Sequence, residues 1–394
     1  MILTTEWMLL LALVGAFVIT YLSIPTLVKV AKAKNLFDIP GIRKSHTSNI
    51  PTLGEVAIFA GLLITVTLLI DTNSILEFKY IIAALTIVFF IGIKDDILVI
   101  APNKKLFGEI LAALVLVLLA DLRITDLHGF FGIREIPYVV SVLLTLFVII
   151  VILNGLNLID GIDGLASGVG ILASITFGVC FYLAGEYQYT ILAVGLIGAL
   201  AAFMRFNVYQ GNYKIFMGDT GSLIIGLFLS VFAIKFNQIN VYSNTNDFSL
   251  YSSPAVSFGI LIVPLFDTLR VFVIRLARGN SPFSADKNHV HHRLLRLGHS
   301  HLGATSRILL INTAFIAFVF VFDGMGILDL MLIILTVATV LSYLPSIILR
   351  NTKPRQIYDP ESLPKVKIKF DYSQPEEYPR EPVVKAKEKE SISV

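Results

Sequence analysis

The stretch NGLNLIDGIDGLASG, Asn154 to Gly168, lies between two long apolar runs, residues 136–153 and 165–185. It places two carboxylates, Asp160 and Asp163, and two amides, Asn154 and Asn157, at what reads as the edge of a membrane. The surrounding composition supports that reading. Hydrophobic residues make up 56% of the 394-residue chain and charged residues only 15%, with a mean hydropathy of +0.80, so a soluble protein with a polar shell is excluded and an all-α, polytopic integral membrane protein is expected.

A bilayer span needs about 20 mostly apolar residues. Candidates centre on 7–28, 53–70, 80–98, 106–120, 137–153, 166–185, 187–204, 220–236, 254–276, 307–323 and 328–349, which predicts about 11 transmembrane helices. The first is long enough to span and has no small-residue cleavage pattern after it, so it reads as a retained helix rather than a signal peptide. Lysine and arginine accumulate in cytoplasmic loops. With the N-terminus outside and the C-terminus cytoplasmic, all but four of the 31 lysines and arginines (Lys79, Arg123, Arg134 and Lys235) fall on the inner side. Residues 1–350 read as the transmembrane domain. Residues 351–394 hold six prolines with nine basic and eight acidic residues, and read as a mostly disordered cytoplasmic tail. The lone cysteine, Cys180, lies in an apolar run and reads as inert packing.

This topology collects seven aspartates on the inner face: Asp95 and Asp96 in GIKDDILVI, Asp160 and Asp163, Asp219 in FMGDTGSL, Asp267 in PLFDTLR and Asp286. Charge at membrane depth is costly unless paired or hydrated, so such a set marks a functional site. Carboxylates with asparagine and glycine suit hard Mg2+, which takes one or two carboxylates and completes its shell with water and substrate phosphate. Asn154, Asn157, Asp160 and Asp163 recur at every third residue. On an ideal helix that spacing drifts by about 60° per step, and the interspersed glycines favour a broken or 3₁₀-like turn. GDTGS should open a helix whose N-terminal amides face the cytoplasm, where anions are favoured. Asp219 there would repel a bare phosphate, and a metal on Asp219 removes the contradiction.

Five of the seven histidines lie between His289 and His301. The remote cysteine and the lack of an HExxH helix argue against zinc. Beside Lys287, Arg293 and Arg296, His289, His291 and His292 suit a diphosphate, since arginine matches phosphate geometry and histidine donates without a permanent charge. Arg43, Lys44 and His46 in the first inner loop could reach the same anion or be an ordinary positive-inside flank. No Walker-type loop is present, and nothing points to a nucleic acid.

The ordered motifs KDD, NGLNLIDGIDGLASG, FMGDTGSL and DKNHVHHRLLRLG resemble the polyprenyl-phosphate N-acetylhexosamine-1-phosphate transferases, most of all the bacterial undecaprenyl-phosphate N-acetylglucosamine-1-phosphate transferases. The resemblance implies an eleven-helix enzyme of the bacterial inner membrane, with its site on the cytoplasmic face, joining a UDP-amino sugar's phosphate to undecaprenyl phosphate and releasing UMP. It implies Asp95 and Asp96 in lipid-phosphate handling or catalysis, Asn157 and Asp219 on Mg2+ (or Mn2+), Asp160 and Asp163 around the nucleotide and the reaction, and His289, His291 and His292 on the diphosphate. Lys105, Arg293 and Asn154 would join the substrate-binding set, and His291 the catalytic one. A homodimer is a further expectation. TLGE, Thr52 to Glu55, departs from the two glycines of many relatives. The competing readings are a phospho-N-acetylmuramoyl-pentapeptide transferase and, in another class, an ion-coupled transporter, whose sites lie near the bilayer midplane.

Overall fold

The computed structural model describes residues 4–38, 50–71, 75–98, 100–209, 211–241, 249–277, 279 and 289–351. Arg43, Lys44, His46, Asp286, Lys287 and the 352–394 segment lie outside these. The described chain is helical: α1 (Thr5–Ala33), α2 (Gly54–Leu69), α3 (Phe78–Leu98), α4 (Pro102–Leu114) with a π-helical turn at Val115–Leu119, α5 (Tyr138–Ile159), α6 (Leu165–Leu183), α7 (Tyr187–Val208), α8 (Gly218–Ile239), α9 (Ser253–Ile260), α10 (Ile262–Ala277), α11 (Val290–Arg296), α12 (His301–Val321) and α13 (Ile327–Asn351). Two small antiparallel pairs complete it, β1 (Phe37–Asp38) with β2 (Ile50–Pro51) and β3 (Asp126–Phe130) with β4 (Ile133–Glu135).

Each of the eleven expected apolar segments contains a helix, so the chain is an all-α polytopic membrane protein. Their individual capacity to cross a bilayer differs. Among the described residues seven helices are long and apolar enough alone, and α9 with α10 would make an eighth span bent by 83°. α2 has 16 residues and α4 only 13 before its π turn, while α3 carries Lys94, Asp95 and Asp96 in its last turns.

The expected segment at 254–276 is therefore two helices meeting at a bend, for a reason that joins Pro264 to a distant residue. Pro264 has no N–H to return to the carbonyl of Ile260 one turn earlier. The buried Asn312 of α12 donates its side-chain amide to that carbonyl at 3.3 Å, replacing the lost bond.

α8 lies deepest, packed against α5, α3 and α6, and α7 packs against α1, α6 and α2. Close approach depends on small residues: a Cβ at Gly226 of α8 would lie 2.9 Å from the Leu153 Cα of α5. This packing brings the last turns of α3 and α5 to the first turn of α8.

Candidate active site

The site is built where helix ends meet. Gly218 opens α8 with φ +65°, and any Cβ there would strike the Asp96 carboxylate. Asp96, from the last turn of α3, accepts the backbone N–H groups of Asp219 (2.8 Å) and Thr220 (3.1 Å) and the Thr220 hydroxyl (2.6 Å). It is thus a helix cap supplied from another helix. Both its oxygens are engaged with the first turn of α8, a positioning contact beside the role in lipid-phosphate handling or catalysis that the sequence suggested.

Asp95 accepts the Ile100 N–H at 2.9 Å with one oxygen and lies 3.0 Å from the Lys105 ammonium with the other. The same ammonium pairs with Asp219, so Lys105 bridges the two carboxylates. The Asp219 side chain keeps 47% of its surface open, which leaves it accessible to a ligand. Asn157 sits beside it, donating to the Ser222 hydroxyl at 3.0 Å, and that hydroxyl donates to the Asp219 carbonyl at 2.9 Å.

Asn154 and Asn157 lie within the regular helix α5, and the expected break begins only at Asp160, which ends that helix. Asn154 consequently points along α5 to a different partner: its amide donates to the buried Glu109 of α4 at 2.6 Å. The turn Asp160–Gly164 closes with Gly164 at φ +77°, and the Gly164 N–H is accepted by Asn207 at 2.7 Å.

Burial, and then the neighbouring charges of Asp219, Asp96 and Asp163, push the Asp160 carboxyl up to about 8. Asp160 and Asp219 therefore share one electrostatic environment. Asp163 behaves oppositely. Burial would raise it, but a hydrogen bond from His301 and the Lys214 ammonium at 2.6 Å hold it below the ordinary carboxylate range. Thr305 donates to its carbonyl at 2.9 Å.

The histidine motif forms the short helix α11 over this turn. Asp267 organises its start: His289 Nδ1 lies 2.9 Å from one oxygen, while the Val290 N–H (3.1 Å) and Arg270 (2.7 Å) reach the other. His291 is buried, and its Nε2 lies against Gly161, where a Cβ would come within 2.3 Å. Burial, then the charge of His292, lowers His291 to about 3. His291 is thus a neutral wedge between α11 and the Asp160–Gly164 turn. His292 packs on it with ring centres 4.2 Å apart.

The structure thus joins Asp95, Asp96, Lys105, Asn157, Asp160 and Asp219 at one place and sets Asp163, His289, His291 and His292 around the adjoining turn. It adds Lys214 and Asn207, which no motif in the sequence singled out, and Glu109, which in the sequence marks only a helix edge. Glu55 is also buried, and among the described residues neither of its carboxyl oxygens has a hydrogen-bond partner.

Comparison with known proteins identifies the family. The sequence profile of glycosyl transferase family 4 matches residues 78–237, which hold most of these groups. The chain is 31% identical over 316 residues to the decaprenyl-phosphate N-acetylglucosaminephosphotransferase of Mycobacterium leprae, covering 74% of this chain and 78% of that one. It is 28% identical over 275 residues to the undecaprenyl-phosphate alpha-N-acetylglucosaminyl 1-phosphate transferase of Yersinia pestis, covering 68% and 72%. The protein of that name from Escherichia coli K12 is 29% identical over 291 residues, covering 73% and 76%. With helix ends, capped amides and acidic motifs falling inside the matched region, the chain belongs to glycosyl transferase family 4, among the polyprenyl-phosphate N-acetylhexosamine-1-phosphate transferases.

Proposed function

We propose that this protein transfers N-acetylglucosamine 1-phosphate, or a related N-acetylhexosamine 1-phosphate, from its UDP-activated form to undecaprenyl phosphate. UMP is released, and a lipid-linked cell-surface glycan begins. The observation that carries the reading is the Lys105 bridge between Asp95 and Asp219, set beside Asn157 at the first turn of α8. The relatives named above are named for transfer of an N-acetylglucosamine phosphate group to undecaprenyl or decaprenyl phosphate.

The residues present fit a hard divalent cation, Mg2+ or in its place Mn2+. Their donors are all oxygen, and the Lys105 ammonium already occupies the space between two carboxylates, where positive charge is required. Among the described residues no three His, Cys, Asp or Glu side chains form a ready-made cage. Mg2+ does not require one, because it draws much of its shell from water and substrate phosphate. Asp219 and the Asn157 carbonyl would hold the ion, with Asp95 beside them. When bound it would neutralise charge on the diphosphate and on departing UMP.

The chain's own residues do the positioning. A phosphate monoester, with a second pKa near 6, is largely dianionic at neutral pH, so no strong base is needed. An oxygen of the lipid phosphate forms a bond to the sugar-bearing phosphorus as the bond from that phosphorus to the UMP oxygen breaks. No water or proton is consumed. Asp95 orients the attacking phosphate, and Lys105 offsets the meeting of two anions. Asp96 acts at one remove, by aiming the first amides of α8. His289, with Nδ1 engaged by Asp267, offers Nε2 to the diphosphate. Eleven spans with the N-terminus outside would place this site on the cytoplasmic face of a bacterial inner membrane.

The test is to give purified protein a panel of UDP-amino sugars, UDP-N-acetylmuramoyl-pentapeptide included, with undecaprenyl phosphate and Mg2+, and to measure UMP. Lipid-dependent UMP from UDP-N-acetylglucosamine is expected. UMP only from the pentapeptide donor would favour the peptidoglycan enzyme, and none from any donor would leave the transporter.

A further inference from the structure

Behind α11 lies an apolar cavity that none of these roles uses. Its volume is about 80 Å³, several times the roughly 10–15 Å³ that admits one water-sized group, so it has room for a slender alkyl segment. Phe266 of α10, Ile311 and Phe315 of α12 and Ala338 of α13 wall it, and Asp267, His291 and Ser342 form its polar end.

Two features identify the occupant. The first is where the cavity opens. Ile311 at its wall is 39% exposed, and its neighbours Leu310 and Val337 are exposed apolar side chains of α12 and α13. In a membrane chain those faces meet hydrocarbon. An apolar cavity does not hold water, and left empty it forfeits the packing of its lining. Hydrocarbon from the bilayer is the filling that satisfies it.

The second is charge. At the polar end, Arg293 donates to the Ser342 carbonyl at 3.3 Å, and Arg296 stands exposed three residues further along the same short helix. A cationic rim beside a hydrocarbon slot matches a phosphate joined to a long chain.

We propose that the cavity holds an acyl chain of an anionic membrane phospholipid, its headgroup phosphate on Arg293 and Arg296, and that this lipid props α11 against the Asp160–Gly164 turn. The inference deepens the transferase reading and rests on it for its activity readout alone.

Two variants fill the slot without touching a group of the reaction. Ala338→Phe adds bulk to the wall, and Ile311→Trp adds it at the half-exposed mouth, where the fold tolerates size. Wild type and both variants are delipidated in mild detergent and titrated with phosphatidylglycerol or phosphatidylethanolamine. Bound phospholipid is counted by native mass spectrometry and UMP release is followed in parallel.

Wild type is expected to bind one phosphatidylglycerol more than either folded variant. Its UMP release should fall on delipidation and return with phosphatidylglycerol but not with phosphatidylethanolamine, while the variants turn over without added lipid. Equal counts in wild type and variants, or a preference for phosphatidylethanolamine, overturn the proposal. So does displacement of the bound lipid by undecaprenyl phosphate, which would assign the slot to the acceptor. If no condition yields UMP, the transferase reading fails while the lipid count still decides the cavity.

Discussion

Asp96 holds Asp219 in place through the backbone: its carboxylate accepts the Asp219 amide at 2.8 Å and the neighbouring Thr220 amide and hydroxyl. Removing a cap of this kind costs about 1–2 kcal/mol. Asp96→Ala should therefore lower the thermal midpoint as well as turnover. Asp96→Asn, which keeps one acceptor, should fall between. An Asp96→Ala protein that is inactive yet melts like wild type would return Asp96 to the chemistry.

Lys105 bridges the two carboxylates that the proposed divalent cation would use. Lys105→Met should lower kcat while reducing the Mg2+ concentration needed for half-maximal activity, because the resident positive charge is gone. Asp219→Asn should abolish turnover at every Mg2+ concentration. Near-normal activity of Asp219→Asn in Mg2+ would disprove the metal assignment.

Gly161 marks the contact between the two principal motifs. A Cβ at this position meets His291 Nε2 at 2.3 Å, and overpacking of a buried site costs about 1–3 kcal/mol. Gly161→Ala should destabilise the protein and reduce UMP release. Combining it with His291→Ala should recover part of the lost midpoint, a coupling that a double-mutant cycle measures. Simple additivity would show that the two do not touch.

His291 also sets an acid limit. Its pKa falls from 6.5 to about 3 on folding, so between those values the unfolded chain binds the additional proton. This contribution to stability is complete above pH 6.5 and is lost as pH falls toward 3. Asp160 acts in the other direction: its rise to about 8 makes its contribution decline as pH climbs from near 4 to 8. His291→Gln should therefore narrow the gap in thermal midpoint between pH 5 and pH 7, measured in the same detergent. An unchanged gap would mean that His291 is already charged in the folded protein.

Much of this was legible in the sequence because membrane helices announce themselves by length and apolarity. All eleven apolar segments coincide with helices, and the motifs KDD, NGLNLIDG and GDTG meet as expected. What pattern could not supply was direction. The three-residue spacing of Asn154 and Asn157 suggested a broken turn, but the apolar face of α5 extends helix to Ile159 and turns Asn154 toward Glu109. The repeated chemistry of KDD hides two unlike roles, since only the packing of α3 on α8 distinguishes a cap from a neighbour of Lys105. Lys214 reads as one more inner-side lysine until the fold sets it 2.6 Å from Asp163. The α9–α10 bend depends on Pro264 and on Asn312, forty-eight residues away, a pairing no local window contains.

Glu55 has a different implication. A buried carboxyl with neither oxygen answered among the described residues is a liability that the surrounding helices absorb, and exchanging such a group for a neutral one of like shape often strengthens a protein. Glu55→Gln or Glu55→Met should raise the melting temperature, giving a hardier starting point for purification, and a lower one would mean that this acid has a partner of its own.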